Sequence, residues 1–259
     1  MTIPENELVP RPLVRDTARV KRYGQYCPIA RTSELFAERW TPIIIRNLLG
    51  GCRRFGDLLD GAPGISKALL AQRLGLLEGQ GIVTSEMTAR HRGRTYTLTN
   101  KGRELKAITD AMGSWGARWL ELEREDIDAG YVLWATCRLV EIERIPRDGL
   151  VARVDLADRP NDRFWLLIRR PTPEICTTYP GQLEDLIVET DSETLARWHL
   201  RHISYEDATR SGRIHIQGTA SSIRAFLECL RPSPFANITP ASGVQDQREA
   251  WKGPVRASS

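Results

Sequence analysis

Two groups of residues in this 259-residue chain have the chemistry to grip a polyanion. Ser66, Lys67, Gln72 and Arg73 form the first, and Arg90, His91, Arg92 and Arg94 crowd around Gly93 to form the second. Gln and Arg pair in bidentate fashion with adenine and guanine edges respectively. A Ser at a helix start can offer its backbone N–H to a phosphate. Helical spacing does not put Ser66, Lys67, Gln72 and Arg73 on one face, so at least one of them is a phosphate contact or a bystander. Arg53 and Arg54 can reach a sugar-phosphate backbone, and His91 reads as an exposed neutral side chain. The plain alternative for every one of these cations is a solvated surface.

Bond-breaking chemistry finds no comparable support. His199 and His202 lie three apart with no third ligand placed by sequence, and no nucleophile–base pair is evident. Cys27, Cys52, Cys137, Cys176 and Cys229 are scattered and odd in number, with no CxxC. A disulfide framework, a zinc site, a cofactor and an enzymatic activity are therefore not expected.

The elements that must position the cations follow from periodicity. A short amphipathic helix from Arg54 closes with Leu58 and Leu59, and Gly61, Pro63 and Gly64 interrupt it. Ser66 stands as N-cap to a helix whose Leu70, Leu74 and Leu77 form one apolar stripe. Gly79 and Gly81 stop that helix, and Ile82–Met87 and Thr95–Leu98 read as two strands joined by the basic ARHRGR tip. Helix, turn, helix and basic-tipped hairpin outline a winged helix, sized for the major groove of duplex DNA.

The flanking motifs narrow the outline. CPIARTSELFAERWTPIIIRNLL, RRFGDL, PGIS, LLAQRLGLLEGQGIV and YTLTNKGREL occur in this order between Cys27 and Trp119. In that stretch the chain resembles the HxlR family of bacterial winged-helix transcriptional regulators. The resemblance implies a DNA-binding dimer, with flanking helices building the two-fold contact. It also implies a Cys27 that serves either as ordinary structure or as a thiol sensor. A sensing thiolate would need a cation or a helix N-terminus beside it, and Arg31 lies one turn downstream. Ala68 and Ala71 depart from the family, whose members often carry Lys and a hydroxyl residue there, and Gly75 falls mid-helix.

Leu35, Phe36, Trp40, Ile43–Ile45, Leu48 and Leu49 read as core beneath the recognition helix, with Phe55. Leu105, Ile108, Met112 and Trp115 share one face of the helix after the wing, capped by Thr99 or Asn100. The resemblance makes this a dimerisation helix, so that two recognition helices stand about 34 Å apart on an inverted repeat. Leu13–Tyr23 has helical spacing, behind a loose Pro-broken start.

Composition sets the wider frame. Apolar residues make up 41% of the chain, no run is long enough to span a bilayer, and the N-terminus has no secretory h-region, so a cytoplasmic protein is expected. Residues 1–126 hold 20 Lys or Arg against 15 Asp or Glu, while the remainder holds 17 against 18. The basic excess thus falls where the motif is.

After the acidic ELEREDIDAG, an amphipathic helix (YVLWATCRLV) precedes strand-like runs at Leu150–Leu156, Phe164–Ile168, Glu174–Thr178 and Asp185–Val188. SETLARWHLRH and YEDATRSG read as helices, RIHIQG as a strand and SSIRAFLECLR as a final helix. This is an α+β domain on an antiparallel sheet. DLIVETDSETLARWHLR, a short helix ending at Gly212, RIHIQG and a last helix together resemble the sterol carrier protein 2 (SCP2)-like fold. That resemblance implies an apolar cavity for lipid-like ligands, with Trp165 and Trp198 as candidate lining.

Four segments are expected. They are an N-terminal arm and helix (1–26), an HxlR-type winged helix (27–126), an SCP2-like ligand-binding domain (127–235) and a tail rich in Pro and small polar residues (236–259). The function expected is a sequence-specific, homodimeric transcriptional regulator of double-stranded DNA, answering to a hydrophobic small molecule. A ligand carrier whose winged helix serves protein contact, or a Cys27 thiol switch, are the alternatives.

Overall fold

The computed structural model describes residues 23–88 and 93–241. The expected helix at Leu13–Tyr23 and the wing tip at 89–92 lie essentially outside them, as does the chain after 241. Four helices open the fold: α1 (Pro28–Phe36), α2 (Thr41–Leu49), α3 (Phe55–Asp60) and α4 (Lys67–Gly79). The Ser66 hydroxyl caps α4, accepting a bond from the Leu69 N–H at 3.2 Å. The expected stripe Leu70, Leu74 and Leu77 is buried with Ile44, Ile45, Leu48 and Leu58 in one core. Gly64, at φ 87°, makes the turn between α3 and α4 in a conformation that favours glycine.

β1 (Val83–Thr88) and β2 (Gly93–Leu98) pair antiparallel as the wing. The backbone of Arg53 and Arg54 is stitched to β2. Tyr96 N–H donates to Arg53 O at 2.8 Å, and Arg54 bridges Thr95. Thr99 caps α5 (Asn100–Glu104), which breaks at Leu105 before α6 (Lys106–Trp119). On α6 the expected apolar face divides. Leu105 and Ile108 pack on the winged-helix core, whereas Met112 and Trp115 are 50% and 59% exposed.

The second unit begins with α7 (Ala129–Arg138), capped by Asp128. It continues through β3 (Leu150–Leu156), β4 (Arg163–Ile168), β5 (Glu174–Cys176), β6 (Leu186–Thr190), α8 (Ser192–His199), α9 (Tyr205–Arg210), β7 (His215–Gly218) and α10 (Ala220–Cys229). The sheet order is β5-β4-β3-β6-β7. The expected antiparallel sheet is in fact mixed, because β3 and β6 run parallel. A parallel pair requires a crossover rather than a hairpin, and the chain supplies one by passing from the outer strand β5 back to the far side of β3.

Alternation along the strands gives the sheet two distinct faces. Ala152, Val154, Phe164, Leu166, Leu186 and Val188 join the core beneath α7, α8 and α10. Val151, Trp165 and Leu167 form a separate small cluster on the opposite face.

Two features join the units. Helix α7 faces both cores: Val132, Leu133 and Cys137 enter the sheet-domain core, while Trp134 packs against the winged-helix core over Gly61. The segment after α10 then returns to α6. Phe235 lies directly on Gly113, and Ala241 N–H donates to Arg118 O at 2.7 Å.

Candidate nucleic-acid interface

Helix α4 turns its leucines inward and leaves Lys67, Ala68, Ala71, Gln72 and Gly75 exposed on one face. Lys67 and Gln72 are thus brought together, with the capped N-terminus at Ser66 beside them. Arg73 is the member turned away. Its Nη2 donates to Glu38 Oε2 at 2.7 Å, its side chain is only 16% exposed, and its Nε is buried. Position 73 falls toward the turn after α1, so the guanidinium ties α4 to its neighbour instead of facing outward. The expectation that Arg73 reads a base is corrected accordingly.

Of the wing cations, Arg90, His91 and Arg92 lie outside the described residues. Arg94, next to the turn at the tip end of the hairpin, is exposed, with Nη1 3.9 Å from Glu78 Oε2. A loose surface contact of that length is worth little and is readily exchanged for a phosphate. Arg53 and Arg54 are both exposed at the start of α3, and Arg54 N–H donates to Asp57 Oδ2 at 3.3 Å. They sit beside the middle of β2, on the wall of a cleft facing the sheet domain. Sequence reasoning missed Arg46, which bonds Asn47 Oδ1 and Gly61 O at 2.8 Å and lies 5.2 Å from the Tyr131 ring centre. It also missed Arg138, at the end of α7, which lines the same cleft. One arginine in each otherwise uncharged helix was the available signal.

The cysteines separate cleanly. Burial pushes the Cys137 thiol up to about 12 and Cys229 up to about 11, and it raises Cys52 as well. Such thiols are inert packing. Cys27 is exposed, immediately ahead of α1. Arg31, one turn on, is directed to Glu34 at 3.7 Å.

The sheet domain holds a partly open cavity of about 300 Å3 beneath α8, α9 and α10. Leu133, Val154, Leu166, Trp198 and Phe226 give it an apolar wall, and His199, Arg201 and Ser204 stand among its polar members. His199 Nδ1 is 3.0 Å from Thr136 Oγ1, and burial lowers its pKa. Trp198 occupies the expected position, but Trp165 does not. Trp165 lies on the opposite face of the sheet, bonded through Nε1 to Glu184 Oε1 at 3.1 Å and set edge-on to Tyr179. Its neighbours Phe164 and Leu166 face the helices, so strand alternation sends Trp165 the other way.

Among the described residues no group of His, Cys, Asp and Glu is arranged to hold a metal ion, and no helix is long and apolar enough to cross a membrane.

Residues 35–124 match the HxlR-like helix-turn-helix family. An uncharacterised HTH-type transcriptional regulator of Synechocystis, sll1512, is 39% identical over 101 residues, covering 39% of this chain and 75% of that protein. The HTH-type transcriptional regulator YodB of Bacillus subtilis is 34% identical over 97 residues, covering 37% of this chain and 87% of that one. Among solved structures, the redox regulator HypR in its oxidised form is 31% identical, with a TM-score of 0.33 over 35% of this chain and 94% of that one.

Proposed function

The chain belongs to the HxlR-like helix-turn-helix family of transcriptional regulators, and from that premise we propose a sequence-specific, homodimeric regulator that answers to a hydrophobic small molecule. The observation that carries the DNA reading is the exposed face of α4. Lys67 stands for phosphate and Gln72 for an adenine edge, while Ala68 and Ala71 are small enough to meet thymine methyl groups. Ser66 brings a helix N-terminus to the backbone, and Arg53, Arg54, Arg90, His91, Arg92 and Arg94 add contacts that are blind to sequence.

The half-exposed apolar face of α6, with Met112, Trp115 and Trp119, supports the dimer. An isologous pairing there would set the target as an inverted repeat. The cavity over Leu166 and Trp198 supports an effector site in an SCP2-like domain spanning 127–235, and its size falls at the lower end of small-molecule pockets.

Selection from a random DNA pool, followed by a salt titration on the best site, tests this reading. An enriched inverted repeat with steep salt dependence is expected, and Arg94→Ala should reduce the slope by about one unit. A folded dimer that enriches no sequence would put the ligand-carrier reading ahead. For the effector, a neutral naphthylamine dye should bind and be excluded by Leu166→Trp; equal binding by that variant would remove the cavity from the account.

The exposure of Cys27, against three deeply buried thiols, favours a thiol switch as the second reading. Alkylation of Cys27 that leaves DNA affinity unchanged would dismiss it.

A further inference from the structure

Between the winged helix and the sheet domain lies a cleft of about 860 Å3. Five arginines from distant parts of the chain line it: Arg53 and Arg54 ahead of α3, Arg138 ending α7, and Arg169 and Arg170 after β4. Asp57, Asp60 and Glu174 are the acids on its walls, so positive charge prevails.

The arginines are unequally engaged. Arg169 pairs with Glu174 at 2.9 Å, and among the described residues this is the one ion pair inside the cleft. Arg170 spends its donors on the carbonyls of Ile142, Glu143 and Ile145. Arg138 crosses between the units, with Nη2 3.4 Å from Gly50 O, and its buried Nε has no hydrogen-bond partner among the described residues. Buried donors are nearly always matched, and one on a guanidinium is the more costly to leave open. Like charges converging in a recess with low-dielectric walls focus a field that draws in an anion.

We propose that this cleft binds a small polyanion, a metabolite bearing phosphate or clustered carboxylates, held by Arg53, Arg54 and Arg138. Guanidinium groups suit such ligands because their planar forks match the oxygens two at a time. The recess is walled by Trp134 on one side and Pro171–Pro173 on another, which fits a ligand that enters whole rather than a duplex lying along a ridge. Since Arg53 and Arg54 belong to the winged helix and Arg138 to the sheet domain, an occupant would tie the two units together and withdraw Arg53 and Arg54 from the duplex backbone. Binding here stands apart from the apolar cavity and does not require that the protein bind DNA.

Calorimetry on the full chain at fixed ionic strength tests the site, with inorganic pyrophosphate as one probe and citrate as the other. Saturable one-to-one binding of at least one probe is expected, and the preferred probe tells phosphate from carboxylate chemistry. Arg138→Gln and Arg53→Gln should each weaken it tenfold or more, and Arg138→Lys should weaken it less than Arg138→Gln. Thermal unfolding without ligand checks that the Arg138 variants fold, and if they do not, the exposed Arg53 variant decides. No saturation by either anion, or unchanged affinity in a folded variant, overturns the proposal. So does an Arg138→Gln variant whose duplex binding loses about one unit of salt slope, because the cleft would then belong to the DNA backbone.

Discussion

Neighbouring residues on α4 face opposite surroundings. Gln72 is exposed, while Arg73 holds Glu38 at 2.7 Å. Gln72→Ala should relax preference at one base-pair position by about 1–3 kcal/mol, measured on operators varied one position at a time. Arg73→Ala should leave base preference intact and lower the thermal midpoint, because it strands a half-buried Glu38. A changed preference with unchanged stability would reverse the assignment. The sequence alone set Gln72 and Arg73 side by side as equals. The Glu38 partner is 35 positions away, and no periodicity announces such a pairing.

His199 carries a second prediction at this scale. Burial holds its folded pKa below the ordinary value of 6.5, so the unfolded chain binds the proton more readily. Stability is therefore fully present above pH 6.5 and declines as pH falls through that value toward the lowered one. Burial and then Arg197 lower His202 with the same sign. Thermal midpoints across this range should fall toward acid, and His199→Gln should flatten the fall without abolishing it. An unchanged slope would mean that His199 is not linked to folding.

At the level of elements, hydrophobic spacing and caps were the legible part. Ser66, Thr99, and the leucines of α4 stand where their spacing places them, because local capping and a single stripe decide a short helix. The partition of α6 was not legible, since the same apolar stripe serves the core at Ile108 and faces outward at Trp115. The parallel pairing of β3 with β6 was hidden for a related reason. Each strand carries its own pattern, but pairing direction is set by where the connection crosses. Trp165, in contrast, could have been placed from alternation with Phe164 and Leu166.

Gly61 tests the contact between elements. A methyl there would collide with the Trp134 ring and with Asn47. Gly61→Ala should cost about 1–3 kcal/mol by overpacking, seen as a lower urea midpoint. Trp134→Leu in the same background should recover part of that loss. A neutral Gly61→Ala would mean that α7 does not press on α3 in solution.

For the whole molecule, two aromatic seams among the described residues join the units, beside the Arg138 contact with Gly50 O: Trp134 over Gly61, and Phe235 on Gly113. Neither was legible, because each depends on a large ring meeting an absent side chain far away in sequence. A stop placed before Pro234 should lower the unfolding midpoint and broaden or split a single calorimetric transition, as the sheet domain loses its hold on α6. One sharp transition at the original midpoint would show that the returning segment contributes nothing to cohesion.

The seam at Gly113 also orders events in time. A ribosome delivers the winged helix first, and domains fold in turn as they emerge. The bed for Phe235 is thus made more than a hundred residues before the ring arrives, and through that interval the surface of α6 at Gly113 stands uncovered. A segment made after the whole sheet domain thus completes a helix made before it.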